Sequence, residues 1–138
     1  MGVMIDGKWH TQSIAELADG GSFKRSETSF RNWVTADGEF PAAAGRYHLY
    51  VSLACPWAHR TLIMRALKGL EDKISVSVVN WFMGEDGWSF DQGDGVVADP
   101  VFAAGYLRDV YGAVKPDYTG RVTVPVLLDT KTRQIVSN

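Results

Sequence analysis

Between residues 46 and 79 the sequence changes pattern twice, and this order limits the possible folds more than any other feature. Residues 46–53 are rich in aromatic and β-branched side chains, which favours a strand. Residues 57–69 hold good helix formers between Pro56 and Gly69, the residue types that begin and end helices. Residues 73–79 alternate apolar and polar side chains and predict a second strand. A crossover of this kind is right-handed and joins parallel strands.

The remaining sequence extends this unit on both sides. Residues 1–45 combine polar stretches with isolated aromatic side chains and predict an irregular N-terminal arm. Residues 84–100 contain four glycines and predict a loop, and residues 101–111 predict a short helix. Residues 121–128 and 134–136 predict two strands joined by a turn.

This order of elements predicts an α/β fold, a thioredoxin-like domain over residues 46–138 that lacks its final helix. Pro125 is unfavourable inside the third predicted strand because proline has no N–H to donate to a neighbouring strand. A cis peptide bond between Val124 and Pro125 at a strand edge would accommodate it.

Composition excludes several classes of protein. Of 138 residues, 46% are hydrophobic and 22% are charged, with a formal net charge of −2, which is typical of one soluble globular domain. This balance argues against disorder and against a nucleic-acid partner. The apolar runs are too short to span a membrane, and no secretory signal precedes them, so we expect a cytoplasmic protein.

The single cysteine, Cys55, lies at the predicted junction of strand and helix. One cysteine forms neither an internal disulfide nor a cysteine-rich zinc site, and we expect no metal. The thiol is either buried and inert or accessible and reactive. A sulfur at a helix N-terminus lies beside free N–H groups that favour the thiolate. Because Ala58 replaces the second cysteine of a Cys-x-x-Cys pair, a mixed disulfide needs an external thiol such as glutathione for its release.

Four segments carry a family resemblance that covers the chain from about Met4 to Asn138. They are residues 31–34, 45–61 with the motif Cys-Pro-Trp-Ala, 86–88 and 120–127. With them the sequence resembles the glutathionyl-hydroquinone reductases, the Xi class of glutathione transferases. The resemblance implies a thiolate attack by Cys55 on the glutathione sulfur of a glutathionyl-hydroquinone, release of the hydroquinone, and resolution of the mixed disulfide by a second glutathione.

The same resemblance implies the residues that bind glutathione as co-substrate. Trp88 would lie over the tripeptide, and the backbone of Val124, which precedes Pro125, would pair with its cysteinyl part. A glutathione-binding arginine is also implied, for which Arg108 is our first choice and Arg121 our second.

Two parts of the family pattern are missing from this sequence. The Glu-Ser pair that holds the glutamyl end of glutathione would follow Asn138. The C-terminal helical domain, which supplies the hydroquinone pocket and the contacts of a homodimer, is also absent. We therefore expect either a fragment or a truncated protein, and a fragment alone need not be active.

Two other functions remain open. The first alternative is a non-catalytic thioredoxin-fold binding module with an inert Cys55. The second is a glutaredoxin-like thiol reductase that acts on protein mixed disulfides. Reactivity of the thiol separates the first alternative from an enzyme, and substrate preference separates the second.

Overall fold

A computed structural model of the protein describes residues 2–11, 18–19, 22–23 and 27–138. Within these residues it contains nine strands and two α-helices. In chain order they are β1 Gly2–Ile5, β2 Lys8–Thr11, β3 Ala18–Asp19, β4 Ser22–Phe23, β5 Tyr47–Val51, α1 Pro56–Leu67, β6 Ile74–Val78, α2 Leu107–Val114, β7 Gly120–Arg121, β8 Val126–Asp129 and β9 Gln134–Ser137.

The central sheet has four strands in the order β6-β5-β8-β9. β5 and β6 are parallel, and the other two pairs are antiparallel. The crossover from β5 through α1 to β6 therefore joins parallel strands, as predicted. All five residues of β5 are buried, as expected for a central strand with neighbours on both sides and cover on both faces. The predicted α/β, thioredoxin-like fold is confirmed.

Helix α1 begins at Pro56, as predicted. Proline is favourable at this first position because its missing N–H would have no partner inside the helix. The helix ends before Gly69, whose φ of +61° suits a residue without a side chain. Only Ala58 is fully buried in α1, whereas Met64 and Leu67 are 50% and 75% exposed. One long side of this helix is therefore uncovered.

Helix α2 begins six residues later than predicted. The Asp99 carboxylate accepts the backbone N–H groups of Val101, Phe102 and Ala104, and this binds residues 99–104 into a turn instead of a helix. The helix starts only after Tyr106, whose N–H donates to the carboxylate of Asp109 at 2.9 Å.

The third predicted strand is divided in two by Pro125. Its first part, β7, pairs with β1, and its second part, β8, joins the central sheet. The peptide bond between Val124 and Pro125 is cis, the form that would accommodate proline here.

The N-terminal arm was predicted to be irregular, and for residues 2–11 this prediction is wrong. β1 and β2 form an antiparallel hairpin, and β1 also pairs with β7. The two turn residues Asp6 and Gly7 have φ values of 47° and 74°, as in the type I′ turns that suit hairpins. The hairpin belongs to the main core because Met4 is buried there. Most of the predicted arm between residues 12 and 26 lies outside the described residues.

Candidate active site

Cys55 occupies the residue immediately before α1. Its backbone is extended, with φ −101° and ψ 115°, and its side chain is half-buried. The N–H of Cys55 donates to the carbonyl of Ser52 at 3.1 Å, and the Ser52 hydroxyl accepts the N–H of Ala54 at 3.2 Å. These two bonds close a tight turn between the end of β5 and the helix. The placement predicted for Cys55, between strand and helix, is confirmed.

The first turn of α1 has two backbone N–H groups without a hydrogen-bond acceptor in the described part of the chain. They belong to Trp57 and Ala58. Such groups carry the positive end of the helix dipole and stabilise an anionic group placed before them. Further along the helix, the Arg60 guanidinium stacks over the Trp57 ring at 4.6 Å from its centroid. This end of α1 therefore favours negative charge beside Cys55.

Val124 faces the thiol from the other side. The Cys55 Sγ lies 3.7 Å from the carbonyl oxygen of Val124, where the thiol donates a weak hydrogen bond. The N–H of Val124 has no hydrogen-bond partner within residues that the structure describes, although Val124 is only 7% exposed. Buried N–H groups without a partner are rare in proteins. Beside the sulfur there is consequently an extended backbone segment with a free donor and a weakly used acceptor.

Trp88 lies on the loop before α2, as predicted. Its side chain is partly buried and packs against the main hydrophobic core, which Cys55 also contacts. Its carbonyl accepts the N–H of Leu107 at 2.9 Å, so the loop is attached to the first residue of α2.

Arg108 is already engaged by neighbouring residues. Its Nη1 donates to the carbonyl oxygen of Asp86 at 3.0 Å and to the carboxylate of the same residue at 2.8 Å. The guanidinium also lies 4.3 Å from the ring centroid of Tyr106 and 5.2 Å from that of Trp9. Arg108 therefore holds the loop that carries Trp88.

Arg121 belongs to β7, where it pairs with Val3 of β1. Its carbonyl accepts the hydroxyl of Tyr118 at 2.8 Å, and its side chain is partly buried. The strand places Arg121 three residues before Val124, on the segment that leads to the thiol.

Two groups of contacts around these residues were not predicted from sequence. The indole N–H of Trp9 donates to the carbonyl of Glu85, and the Tyr111 hydroxyl bonds the backbone of Thr123 and the amide of Asn138. Trp9 and Tyr111 lie 76 and 12 residues from their backbone partners, so no local pattern indicates either contact.

One open groove does not contain the thiol. It has a volume of about 610 Å³ and runs along the open side of α1, between that helix and the central sheet. Its lining includes Met64 of α1, Leu127 of β8 and Pro125. The described residues contain no group of three or more possible metal ligands and no helix long and apolar enough to cross a membrane.

Comparison with known proteins identifies the family. Residues 54–138 match the family model "Glutathione S-transferase, N-terminal domain". The chain is 54% identical to the glutathionyl-hydroquinone reductase YqjG of Escherichia coli, with 100% of this chain and 45% of the relative covered. It is 52% identical to the glutathionyl-hydroquinone reductase PcpF of Sphingobium chlorophenolicum, with 100% and 44% covered.

Comparison with solved structures points to the same family. A Xi-class glutathione transferase from Natrialba magadii superposes with a TM-score of 0.86 at 51% identity, over 100% of this chain and 41% of that one. The glutathione-bound structure of YqjG superposes with a TM-score of 0.84 at 51% identity, over 99% and 42%. The chain spans less than half the length of these relatives. The resemblance expected from the sequence is confirmed, and the chain belongs to the glutathione S-transferase family, whose N-terminal domain it matches.

Proposed function

We propose that this chain is the thiol-bearing part of a glutathione-dependent reductase that removes glutathione from glutathionyl-hydroquinones. One observation supports this function above the others: Cys55 lies at a helix N-terminus, opposite a backbone segment at Val124 that has a free N–H. A thiol that reacts with a peptide-like thiol needs both a site that favours its anion and a backbone edge that pairs with the peptide. Relatives named as such reductases, and a glutathione-bound relative, agree with it.

The reaction proceeds in two balanced steps. The Cys55 thiolate attacks the glutathione sulfur of the substrate, an S–S bond forms, and the bond between that sulfur and the ring carbon breaks. The electron pair goes to the ring carbon, which takes up a proton and leaves as the hydroquinone. A second glutathione thiolate then attacks the mixed disulfide, which frees Cys55 and gives glutathione disulfide. Overall, the thioether sulfur of the substrate and the thiol of the second glutathione are oxidised to a disulfide, and one ring carbon is reduced.

The binding residues are proposed on the same basis. The Val124 N–H and carbonyl pair with the cysteinyl part of glutathione, and the ring of Pro125 packs beside it. Trp88 covers the tripeptide from the loop before α2. Arg108 contributes through its contacts with Asp86, which hold that loop, and Arg121 is the second candidate for a guanidinium near the ligand.

The wider organisation is also a proposal. Residues 46–138 form the thioredoxin-like domain, since the central sheet and both helices lie within them, and residues 1–45 form an arm joined to it by β1. A complete protein with a C-terminal helical domain would take up the quinone-derived substrate and form a homodimer. We place it in the cytoplasm, where a glutathione pool keeps thiols reduced.

The test is transfer of glutathione to Cys55. The wild-type chain is incubated with a glutathionyl-hydroquinone, and the intact protein is analysed by mass spectrometry for the mixed disulfide and the solution for free hydroquinone. We expect the adduct in the wild type and in Ile63→Ala, a change on the exposed side of the same helix, and none in Cys55→Ser. Hydroquinone release by Cys55→Ser would refute the proposal. An adduct formed only with a glutathionylated protein would indicate the glutaredoxin-like function, and an unreactive thiol would indicate the binding module.

A further inference from the structure

The hydroxyl of Tyr111 makes three hydrogen bonds in the core. It donates to the carbonyl oxygen of Thr123 at 3.0 Å and accepts the N–H of Thr123 at 3.4 Å and the side-chain amide of Asn138 at 3.0 Å. Tyr111 is completely buried. Burial raises the pKa of Tyr111 to about 12, so the hydroxyl keeps its proton at neutral pH and can donate it.

The bond to Thr123 determines how the next residue is oriented. The carbonyl of Thr123 and the N–H of Val124 belong to the same planar peptide group, and in a trans peptide they point in opposite directions. Because the carbonyl is held towards Tyr111, the Val124 N–H points away from α2. The carbonyl of Val124 itself lies 3.7 Å from the Cys55 sulfur. One tyrosine hydroxyl thus sets the direction of the free donor beside the thiol.

Asn138 extends the same arrangement to the end of β9. The side-chain oxygen of Asn138 accepts the backbone N–H of Phe30 at 3.3 Å, and the backbone N–H of Asn138 donates to the carbonyl of Phe30 at 3.2 Å. The amide that bonds Tyr111 therefore belongs to a residue that is itself fixed by a neighbouring segment. Through Asn138 the hydroxyl is held in place, and the peptide that it orients is held with it.

We propose that Tyr111 is a positioning residue for the thiol site: its hydroxyl orients the peptide between Thr123 and Val124 so that the Val124 backbone can pair with the peptide part of a glutathione-type ligand beside Cys55. The ligand in this inference rests on the function proposed above, whereas the orientation of the Val124 backbone against Cys55 does not.

Tyr118 provides a matched control. It is also buried, its ring packs against Tyr111 with centroids 5.0 Å apart, and its hydroxyl also donates to a backbone carbonyl, that of Arg121 at 2.8 Å. Loss of either hydroxyl leaves a carbonyl without its donor in the same cluster. Only Tyr111 bonds the peptide group that contains the Val124 N–H.

The first measurement needs no glutathione. Iodoacetamide alkylation of Cys55 is followed at neutral pH in the wild type, Tyr111→Phe and Tyr118→Phe, well below their melting temperatures. In Tyr111→Phe the peptide between Thr123 and Val124 loses its anchor, which loosens the contact of the following Val124 carbonyl with the sulfur, and we expect alkylation about two- to threefold faster, the factor for a weak hydrogen bond. Tyr118→Phe should match the wild type. Equal rates in all three proteins, or equal acceleration in both variants, would overturn the proposal.

The second measurement uses glutathione itself as the probe. Isothermal titration should give a dissociation constant about two- to tenfold higher for Tyr111→Phe than for the wild type, while Tyr118→Phe is unchanged. Equal weakening by both variants would show a merely structural role and overturn the proposal. If the wild type itself binds no glutathione, the function proposed above fails, and the alkylation rates still decide whether Tyr111 positions Val124.

Discussion

At the scale of single residues, His48 is a buried titratable side chain in the central sheet. Its Nδ1 lies 2.6 Å from the Ser75 hydroxyl and its Nε2 2.8 Å from the Ser77 hydroxyl. Since Ser77 donates its own proton to the carbonyl of Ala98, it accepts from Nε2, and Nδ1 is left to accept from Ser75. This arrangement satisfies the neutral ring. Burial accordingly lowers the pKa of His48 below 6.5.

The lowered pKa of His48 predicts a loss of stability in mild acid. The unfolded chain takes up a proton at this histidine near its ordinary pKa of about 6.5, whereas the folded protein does so only at lower pH. The free energy of unfolding should therefore fall as the pH drops below about 6.5, by up to about 1.4 kcal/mol per pH unit. Urea denaturation between about pH 8 and about pH 5 measures it.

The control for this experiment is a second histidine. His59→Gln removes an exposed ring and should keep the wild-type pH dependence, whereas His48→Gln should flatten it. The buried carboxylate of Asp129 does not interfere, because its bond to Arg46 lowers its pKa to about 2, outside this range. An unchanged slope in His48→Gln would contradict the assignment.

At the scale of elements, the N-terminal hairpin supports the loop that carries Trp88. The ring of Trp9 packs against Gly87, where an added Cβ would lie 3.0 Å from it, and its indole N–H bonds the carbonyl of Glu85 at 3.1 Å. Arg108 donates to the Asp86 carboxylate of this loop and lies over the ring of Trp9. Trp9 of β2 and Arg108 of α2 thus hold this loop between them.

Replacement of Trp9 should loosen that loop. Trp9→Phe removes the N–H donor and part of the packing, and we expect a loss of about 1 kcal/mol in stability, the usual value for one hydrogen bond. Hydrogen–deuterium exchange in peptides that cover residues 84–93 should become faster, while exchange in β8 stays slow. Trp33→Phe, at a residue that is 81% exposed, is the matched control. Unchanged exchange in Trp9→Phe would show that the hairpin does not stabilise the loop.

The elements that the sequence predicts well are those fixed by local patterns. Residue patterns within each segment predict the strand at residues 46–53, the helix after Cys55 and the strand at residues 73–79. Pro125 marks the position at which the third predicted strand is interrupted. The hairpin was missed although Asp6-Gly7 is a local hairpin signal, whereas its pairing with β7, more than a hundred residues away, has no local signal. The start of α2 was missed because the carboxylate of Asp99 outcompetes the helix for three N–H groups.

In the candidate site too, some features follow from local sequence and others from contacts between distant residues. Cys55 and the Val124–Pro125 pair follow from the residues and from the family resemblance, because both depend on residue type and position. The free N–H of Val124 and the Tyr111 hydroxyl that orients it depend on how separate elements pack, which residue type alone does not determine.

At the scale of the whole molecule, one face of the central sheet is only partly covered. Val124, Val126 and Leu128 are all buried. The residue between the last two, Leu127, lines the groove beside α1 together with Met64, because neighbouring residues in a strand face opposite sides.

This open groove predicts self-association of the chain. Apolar side chains that line a groove of about 610 Å³ are buried favourably against another copy. Sedimentation velocity should show larger species with rising protein concentration, and Met64→Lys should shift the distribution towards monomer. Ile5→Lys, which changes an exposed apolar residue of the hairpin instead, should not. A stable monomer for the wild type at high concentration would contradict this expectation.

The pairing of β1 with β7 also has a consequence for how the chain folds during synthesis. During synthesis Val3 is made before its partner Arg121, which follows 118 residues later. Until then the hairpin has no third strand, and two-stranded hairpins are marginally stable in water. Contacts between residues so far apart in sequence slow folding because a long loop must close first. The N-terminal strands therefore dock late, after β5, α1 and β6 have had time to form their local contacts.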